Sequence, residues 1–214
     1  APFTFAAAAR GQESAPGQPT AAELRRVYRW DTQNAGTRVF GVVGWPVGHS
    51  LSPHIHNAGF AAAGVNAVYV SLPVQPTAEA FTAAMNAFAG LTEMPDGEGT
   101  ARGVSVTIPH KEHAFRYAVE RGATIDAVTR GLGVANTLLW KAGAAASKKS
   151  PTLAALNSDY AGALDALAGA WGDQPVLEVL RGKHVAVLGA GGAARAIVRG
   201  LVAQGARVSI YNRT

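Results

Sequence analysis

The sequence predicts an α/β protein in two parts, and three observations carry the prediction. From Arg38 onward, short apolar strands alternate with amphipathic helices, the pattern of a mostly parallel sheet. Residues 41–57, GVVGWPVGHSLSPHIHN, read as a strand end, a glycine turn and a helix start. Residues 184–211 read as strand, glycine loop, helix and strand, a single βαβ unit that opens a second, incomplete domain.

A chain of 214 residues can bury a sizeable core, and its length suits one or two domains. Hydrophobic residues make up 48% and charged residues 15%, a balance that excludes a disordered chain. The absence of Cys excludes disulfides, thiolate metal sites and cysteine nucleophiles, and fits a reducing cytoplasm. No apolar run approaches the roughly 20 residues that span a bilayer, so no membrane segment is expected. Lys and Arg number 19 against 14 Asp and Glu, and the net charge of +5 is spread along the chain. It suits anionic small molecules at least as well as nucleic acid, for which there is no basic stripe or aromatic platform. The chain begins without Met and stops at Thr214 as a strand ends, so it reads as a fragment at both ends.

Residues 1–33 differ in character from the rest. An Ala-rich segment leads to a turn at Ser14-Ala15-Pro16-Gly17, and Thr20 with Glu23 three residues on has the spacing of a capping box. Residues 34–150 form the first α/β domain. Val39 to Val43 is a β-branched strand, and residues 53–63 a helix with Pro53 at its start. Residues 67–72 form the next strand, and residues 77–89 a helix with Phe81, Met85 and Phe88 on one face. Residues 102–107 form a third strand, followed by a helix from His110 and a strand at 135–140; residues 142–150 read as a loop or hairpin tip. Residues 151–214 hold the start of the second domain: a helix at 159–168, then a buried strand at 184–188, the glycine loop, a helix at 193–204 and a strand at 207–211.

Ser50 and Ser52 sit just before Pro53, where their hydroxyls and the free N–H groups of a helix start make a pocket for a small anion. The glycine loop Gly189-Ala190-Gly191-Gly192-Ala193 lets a pyrophosphate approach the following helix N-terminus. About 20 residues on, an NAD site carries an acid for the ribose 2′-OH; here stand Asn212, Arg213 and Thr214, which favour the 2′-phosphate of NADP. Lys111, at a strand-to-helix turn, is an acid/base candidate beside a carboxylate, although a lone Lys there is more often solvated. Asp159 reads first as a helix N-cap, and Asn136 needs a partner if buried. His54 and His56 lie two apart on a helix and make a poor metal pair, and no metal is expected. His49 is placed near a ligand, His110 along a cleft, and His113 and His184 at the surface.

With these residues gathered, the chain resembles shikimate dehydrogenase over residues 38–214. The motifs appear in order: Gly44-x-Pro46-x-x-His49-Ser50-x-Ser52-Pro53-x-x-His56-Asn57, Val106-Thr107-Ile108-Pro109-x-Lys111, Ala135-Asn136-Thr137, Asn157-Ser158-Asp159, the glycine loop and Asn212-Arg213-Thr214. The resemblance implies an N-terminal α/β substrate-binding domain and the first part of a Rossmann NADP-binding domain. It implies NADPH-dependent, reversible reduction of 3-dehydroshikimate to shikimate in the pathway to the aromatic amino acids. Ser50 and Ser52 would hold the substrate carboxylate. Thr107, Lys111, Asn136 and Asp159 would contact the ring hydroxyls, with Lys111 and Asp159 as the catalytic pair. Gly189, Ala190, Gly191, Gly192 and Ala193 would seat the pyrophosphate, and Asn212, Arg213 and Thr214 the 2′-phosphate.

Two positions depart from the family pattern: Ser105 stands for the usual Asn before Val-Thr, and Ser158 for Thr in Asn-Thr-Asp. Residues 2–6 and 14–18 resemble the last strand, loop and helix of a type I 3-dehydroquinate dehydratase, where the positions of Ser14 and Gln18 contact substrate. That family's Schiff-base Lys and its His lie upstream and are absent here, so no dehydratase activity is expected of this chain, and the resemblance points to a piece of a bifunctional dehydratase–dehydrogenase. Alternative readings are a quinate/shikimate dehydrogenase using NAD, and a relative that senses pathway acids without turnover.

Overall fold

The structure, a computed structural model, describes residues 5–15, 17–91, 101–141, 152–170 and 179–213. The turn residue Pro16, the loop expected at 142–150 and Thr214 lie outside the described residues. The chain divides into two compact units, one of Ala1–His110 with Leu138–Ala154 and one of Lys111–Thr137 with Ala155–Thr214.

In the first unit, β1 (Arg38–Gly44) lies between β2 (Ala67–Pro73) and β3 (Ala101–Val106), parallel to both. Helix α2 (Ser52–Ala62) connects β1 to β2, and α3 (Ala78–Gly90) leads from β2 to β3 on the far side of β1. The strand order therefore reverses at β1, and ligands of parallel sheets collect at the C-terminal strand ends of such a point. Strand β4 (Thr124–Ile125) belongs to the second unit; β5 (Thr137–Lys141) and β6 (Thr152–Leu156) extend the first sheet to the order β2-β1-β3-β5-β6.

Local chemistry explains these elements. A Cβ on Gly41 would meet Leu72 Cδ1 at 2.8 Å and the Val70 carbonyl oxygen at 3.1 Å, so β1 and its neighbour approach only without a side chain there. Val42, Val47 and Tyr69 form a buried cluster with Phe40 and Phe60 against it. Asn57, buried on α2, accepts the Tyr69 N–H and donates to the Tyr69 carbonyl, both at 2.8 Å. One amide thus pins α2 to β2. Thr77 caps α3 by accepting the Ala80 N–H at 3.1 Å, and Phe81, Met85 and Phe88 are buried as their spacing predicts. The capping box of α1 (Ala21–Arg26) is present in full, with Thr20 and Glu23 exchanging hydrogen bonds.

The second unit contains α4 (Lys111–Glu120), α5 (Ala127–Leu132), α6 (Asp159–Ala170), β7 (His184–Leu188), α7 (Gly192–Ala203) and β8 (Arg207–Tyr211). β7 and β8 pair in parallel. Leu164, Leu180, Leu201 and Ala206 form their core with Tyr160, Ile197 and Val185 packed against it. The sequence reads β7 as a buried strand, but its residues alternate between exposed and half-buried, and Leu188 is 83% exposed. Helices cover one face of this pair, and among the described residues nothing covers the other. The strand expected from Ala135 begins at Thr137, because the Ala135 N–H turns to the Lys111 carbonyl at 2.9 Å. Among the described residues no helix is long and apolar enough to cross a membrane.

Replacing Asn57 with Ala should lower the stability of the fold by roughly 2–6 kcal/mol, since two buried backbone groups lose their partner at roughly 1–3 kcal/mol each. A urea titration measures it; a loss under about 1 kcal/mol would mean that water serves Tyr69 equally well.

Candidate functional site

In the first unit the ladder between β1 and β3 runs on past the strands. The Thr107 N–H donates to the Val43 carbonyl at 2.9 Å and the Trp45 N–H to the Ile108 carbonyl at 3.0 Å. The two turns therefore leave the sheet side by side. At Gly44 they are too close for a side chain: a Cβ would lie 2.5 Å from Thr107 Cγ2 and 3.2 Å from the Ile108 carbonyl oxygen. Further along, the Ser50 N–H closes a turn onto the Val47 carbonyl at 3.0 Å. Ser50 Oγ accepts the Ser52 N–H at 3.2 Å and lies 3.1 Å from Ser52 Oγ. Helix α2 starts one residue earlier than expected, with Leu51 at the cap position making no side-chain bond and Ser52 already helical. Two hydroxyls thus pair at a helix N-terminus, whose dipole favours an anion.

In the second unit Lys111 and Asp159 are the first residues of α4 and α6, and Lys111 Nζ donates to Asp159 Oδ2. Both side chains are largely covered, at 17% and 22% exposure. The other carboxylate oxygen of Asp159 accepts from Asn136 Nδ2 at 2.8 Å. The Asn136 amide has one consistent orientation: its Oδ1 accepts the Ser158 backbone N–H at 3.1 Å, a group that can only donate, so Nδ2 faces Asp159. Thr137 Oγ1 donates to the same Oδ1 at 2.9 Å. The expected cap role of Asp159 is corrected here. Its carboxylate goes to Lys111 and Asn136, while its own N–H is taken by Asn157 Oδ1 at 3.0 Å. The trio can polarise and protonate an oxygen: a cationic donor, the carboxylate that holds it, and an amide that fixes the carboxylate.

The glycine loop follows β7 in the same unit. Gly189 has φ +109°, a conformation that favours glycine, and its N–H donates to the Tyr211 carbonyl at 2.7 Å. Gly191 is the N-cap of α7 with no side-chain bond, and a Cβ on Gly189 or Gly191 would meet open space. The first N–H groups of α7 have no intrahelical acceptor, and the cap residue makes no side-chain bond to them. These residues fit a dinucleotide pyrophosphate. Asn212 and Arg213 follow β8 directly, and Arg213 is exposed. Among the described residues no group of three or more His, Asp or Glu is placed to hold a metal.

Residues 42–138 match the family model of the shikimate dehydrogenase substrate binding domain. Over those residues the chain is similar to the shikimate dehydrogenase substrate binding domain. A bifunctional 3-dehydroquinate dehydratase/shikimate dehydrogenase, chloroplastic, of Arabidopsis thaliana is 34% identical over 220 residues, covering 99% of this chain and 33% of the relative. A shikimate dehydrogenase (NADP(+)) of Methanocella arvoryzae is 40% identical over 176 residues, covering 82% of this chain and 54% of the relative. A crystal structure of a shikimate dehydrogenase in complex with NADP+ aligns with a TM-score of 0.68 at 33% identity, over 86% of this chain and 54% of that one. The chain thus spans about half the length of the second relative and a third of the first.

Of the residues expected at the site, the structure brings Ser50 to Ser52, Thr107 to Gly44, and both Lys111 and Asn136 to Asp159. His110 does not line a cleft: it is fully buried, its Nε2 lies 2.9 Å from the Val74 carbonyl oxygen, and its ring packs on Phe81. Two contacts were missed in the sequence. Asn157 takes the Asp159 N–H, a pairing hinted at only by an Asn two residues before an acid. Gly192 lies against the Lys111 stem, where a Cβ would sit 3.7 Å from Cδ, and no sequence spacing announces it.

Gly44→Ala should push Thr107 and the turn after β3 out of place, because Thr has a stiff χ1 and the second obstacle is backbone. The expected result is a folded but less stable chain, with its urea midpoint lowered. An unchanged midpoint would show that the turn has room to move.

Proposed function

We propose that this chain supplies the substrate site and the first half of the cofactor site of an NADP-dependent shikimate dehydrogenase, interconverting 3-dehydroshikimate and shikimate. The observation that carries the reading is the Lys111–Asp159 pair with Asn136 on its second oxygen. NADPH, when bound, supplies a hydride to the ring ketone. Lys111 gives a proton to the alkoxide oxygen that forms, and takes it back in the reverse direction. Asp159 holds the ammonium and accepts from a ring hydroxyl, and Asn136 and Thr107 orient the ring. Ser50 and Ser52, with the N-terminus of α2, take the substrate carboxylate. Gly189, Ala190, Gly191, Gly192 and Ala193 seat the pyrophosphate, and Asn212, Arg213 and Thr214 the 2′-phosphate. The Arabidopsis relative, whose match takes in nearly the whole chain, supports reading residues 1–33 as the end of a dehydratase joined to the dehydrogenase.

The test is shikimate-dependent reduction of NADP+, followed at the nicotinamide absorbance, by a protein that joins this chain to a whole cofactor site. Lys111→Ala should lower kcat by about 10²–10⁴, the usual contribution of a positioned acid/base group, and change KM for shikimate far less. Equal activity in the variant ends the assignment. A shikimate-induced rise in Tm without any turnover would favour a ligand sensor.

Arg213→Ala should raise KM for NADP+ by about 10–100-fold, as expected for losing a hydrogen bond to a charged group worth roughly 1.5–3 kcal/mol. KM for NAD+ should stay where it is. If NAD+ is already preferred before substitution, the 2′-phosphate role of Arg213 fails.

A further inference from the structure

We infer that Asn157 is a positioning residue for Asp159 and, through it, for the Lys111 pair; the inference rests on the dehydrogenase reading above. Asn157 is 2% exposed, so its amide has no access to bulk water and must find partners inside the protein. It finds two. Oδ1 accepts the Asp159 N–H at 3.0 Å, and Nδ2 donates to the Val134 carbonyl at 3.4 Å. Val134 is itself buried, two residues ahead of Asn136. Asn136 makes the reciprocal connection: its N–H donates to the Leu156 carbonyl at 3.0 Å, its Oδ1 accepts the Ser158 N–H, and its Nδ2 donates to Asp159.

Two asparagines therefore stitch residues 134–136 to residues 156–159 in opposite senses. One fixes the carboxylate of Asp159, and the other fixes its backbone. The carboxylate has two χ angles between it and the main chain, so holding the head alone leaves the stem free to tilt. Pinning the N–H removes that freedom and sets where Lys111 is drawn. The competing role is a simple Asx turn that closes the loop before α6 and affects stability alone.

The experiment compares Asn157→Ala, Asn157→Gly and Asn157→Ser in the NADP+ reduction assay, with Tm measured alongside. Removing the acceptor should lower kcat by about 10–100-fold, the scale on which an ångström of misplacement acts, with KM for NADP+ within about twofold. Ser, whose Oγ can accept the N–H two residues on, should restore kcat to within about threefold. Folded Ala or Gly variants with kcat within twofold of wild type overturn the inference, and so does a Ser variant no better than they are. If neither Ala nor Gly folds by circular dichroism, Asn157 belongs to the fold and not to the site. A wild-type chain that neither turns over nor binds shikimate removes the dehydrogenase reading itself, a failure visible before any variant is made.

Discussion

The ion pair between Lys111 and Asp159 is the constraint on which the second unit is built. Stability alone does not account for it. A carboxylate at the start of α6 is favoured by the helix dipole, but an ammonium at the start of α4 is disfavoured by roughly 0.3–1 kcal/mol. A partly exposed pair returns only about 0–1 kcal/mol, so the net is near zero. The chain nonetheless largely covers both side chains, engages both carboxylate oxygens and commits two asparagine amides, one of them buried, to keeping them there. That expenditure fixes a charge arrangement and not a fold. It is what a proton donor needs, because a donor must sit in one place relative to the oxygen it serves.

The first unit solves a different problem with the same economy. Reversal of strand order at β1 leaves two turns emerging from adjacent strand ends, and their separation is set by backbone hydrogen bonds alone. Gly44 permits the approach, and the price is a position where any side chain displaces Thr107 or the Ile108 carbonyl. Ser50 and Ser52 then meet at a helix start in which neither caps by the standard geometry. The first N–H of the helix, that of Ser52, is already taken by Ser50 Oγ and Pro53 has none, so an anion there would rest on the two hydroxyls and the helix dipole more than on free backbone donors.

Much of this was legible in the sequence, because the periodic signals are local. Phe81, Met85 and Phe88 declare the buried face of α3 by spacing, Thr20 and Glu23 their capping box, and the glycine loop its strand–turn–helix setting. What was not legible depends on partners far along the chain. Burial of His110 is set by Val74, 36 residues earlier, and the motif around it shows only a polar residue beside a lysine. Asp159 looks like a cap because the residues before it look like a turn; its carboxylate is claimed by Lys111, 48 residues away. The apolar string of β7 reads as buried on both faces, as parallel strands usually are, whereas burial on the second face requires elements that the described residues do not include.

Gly192 shows how closely the two functions of the second unit are joined. As the first residue of α7 it belongs to the stretch that would face a pyrophosphate, and its missing side chain also leaves room for the stem of Lys111. An alanine would make ordinary contact at 3.7 Å, but any longer side chain would have to push the lysine aside. The dipole at the start of α7 places partial positive charge near an ammonium's own chain, an arrangement that Asp159 offsets and that a bound anion would offset further. A small residue at this position therefore serves two neighbours at once: the open start of α7, and the stem of a lysine whose position the rest of the unit is arranged to hold.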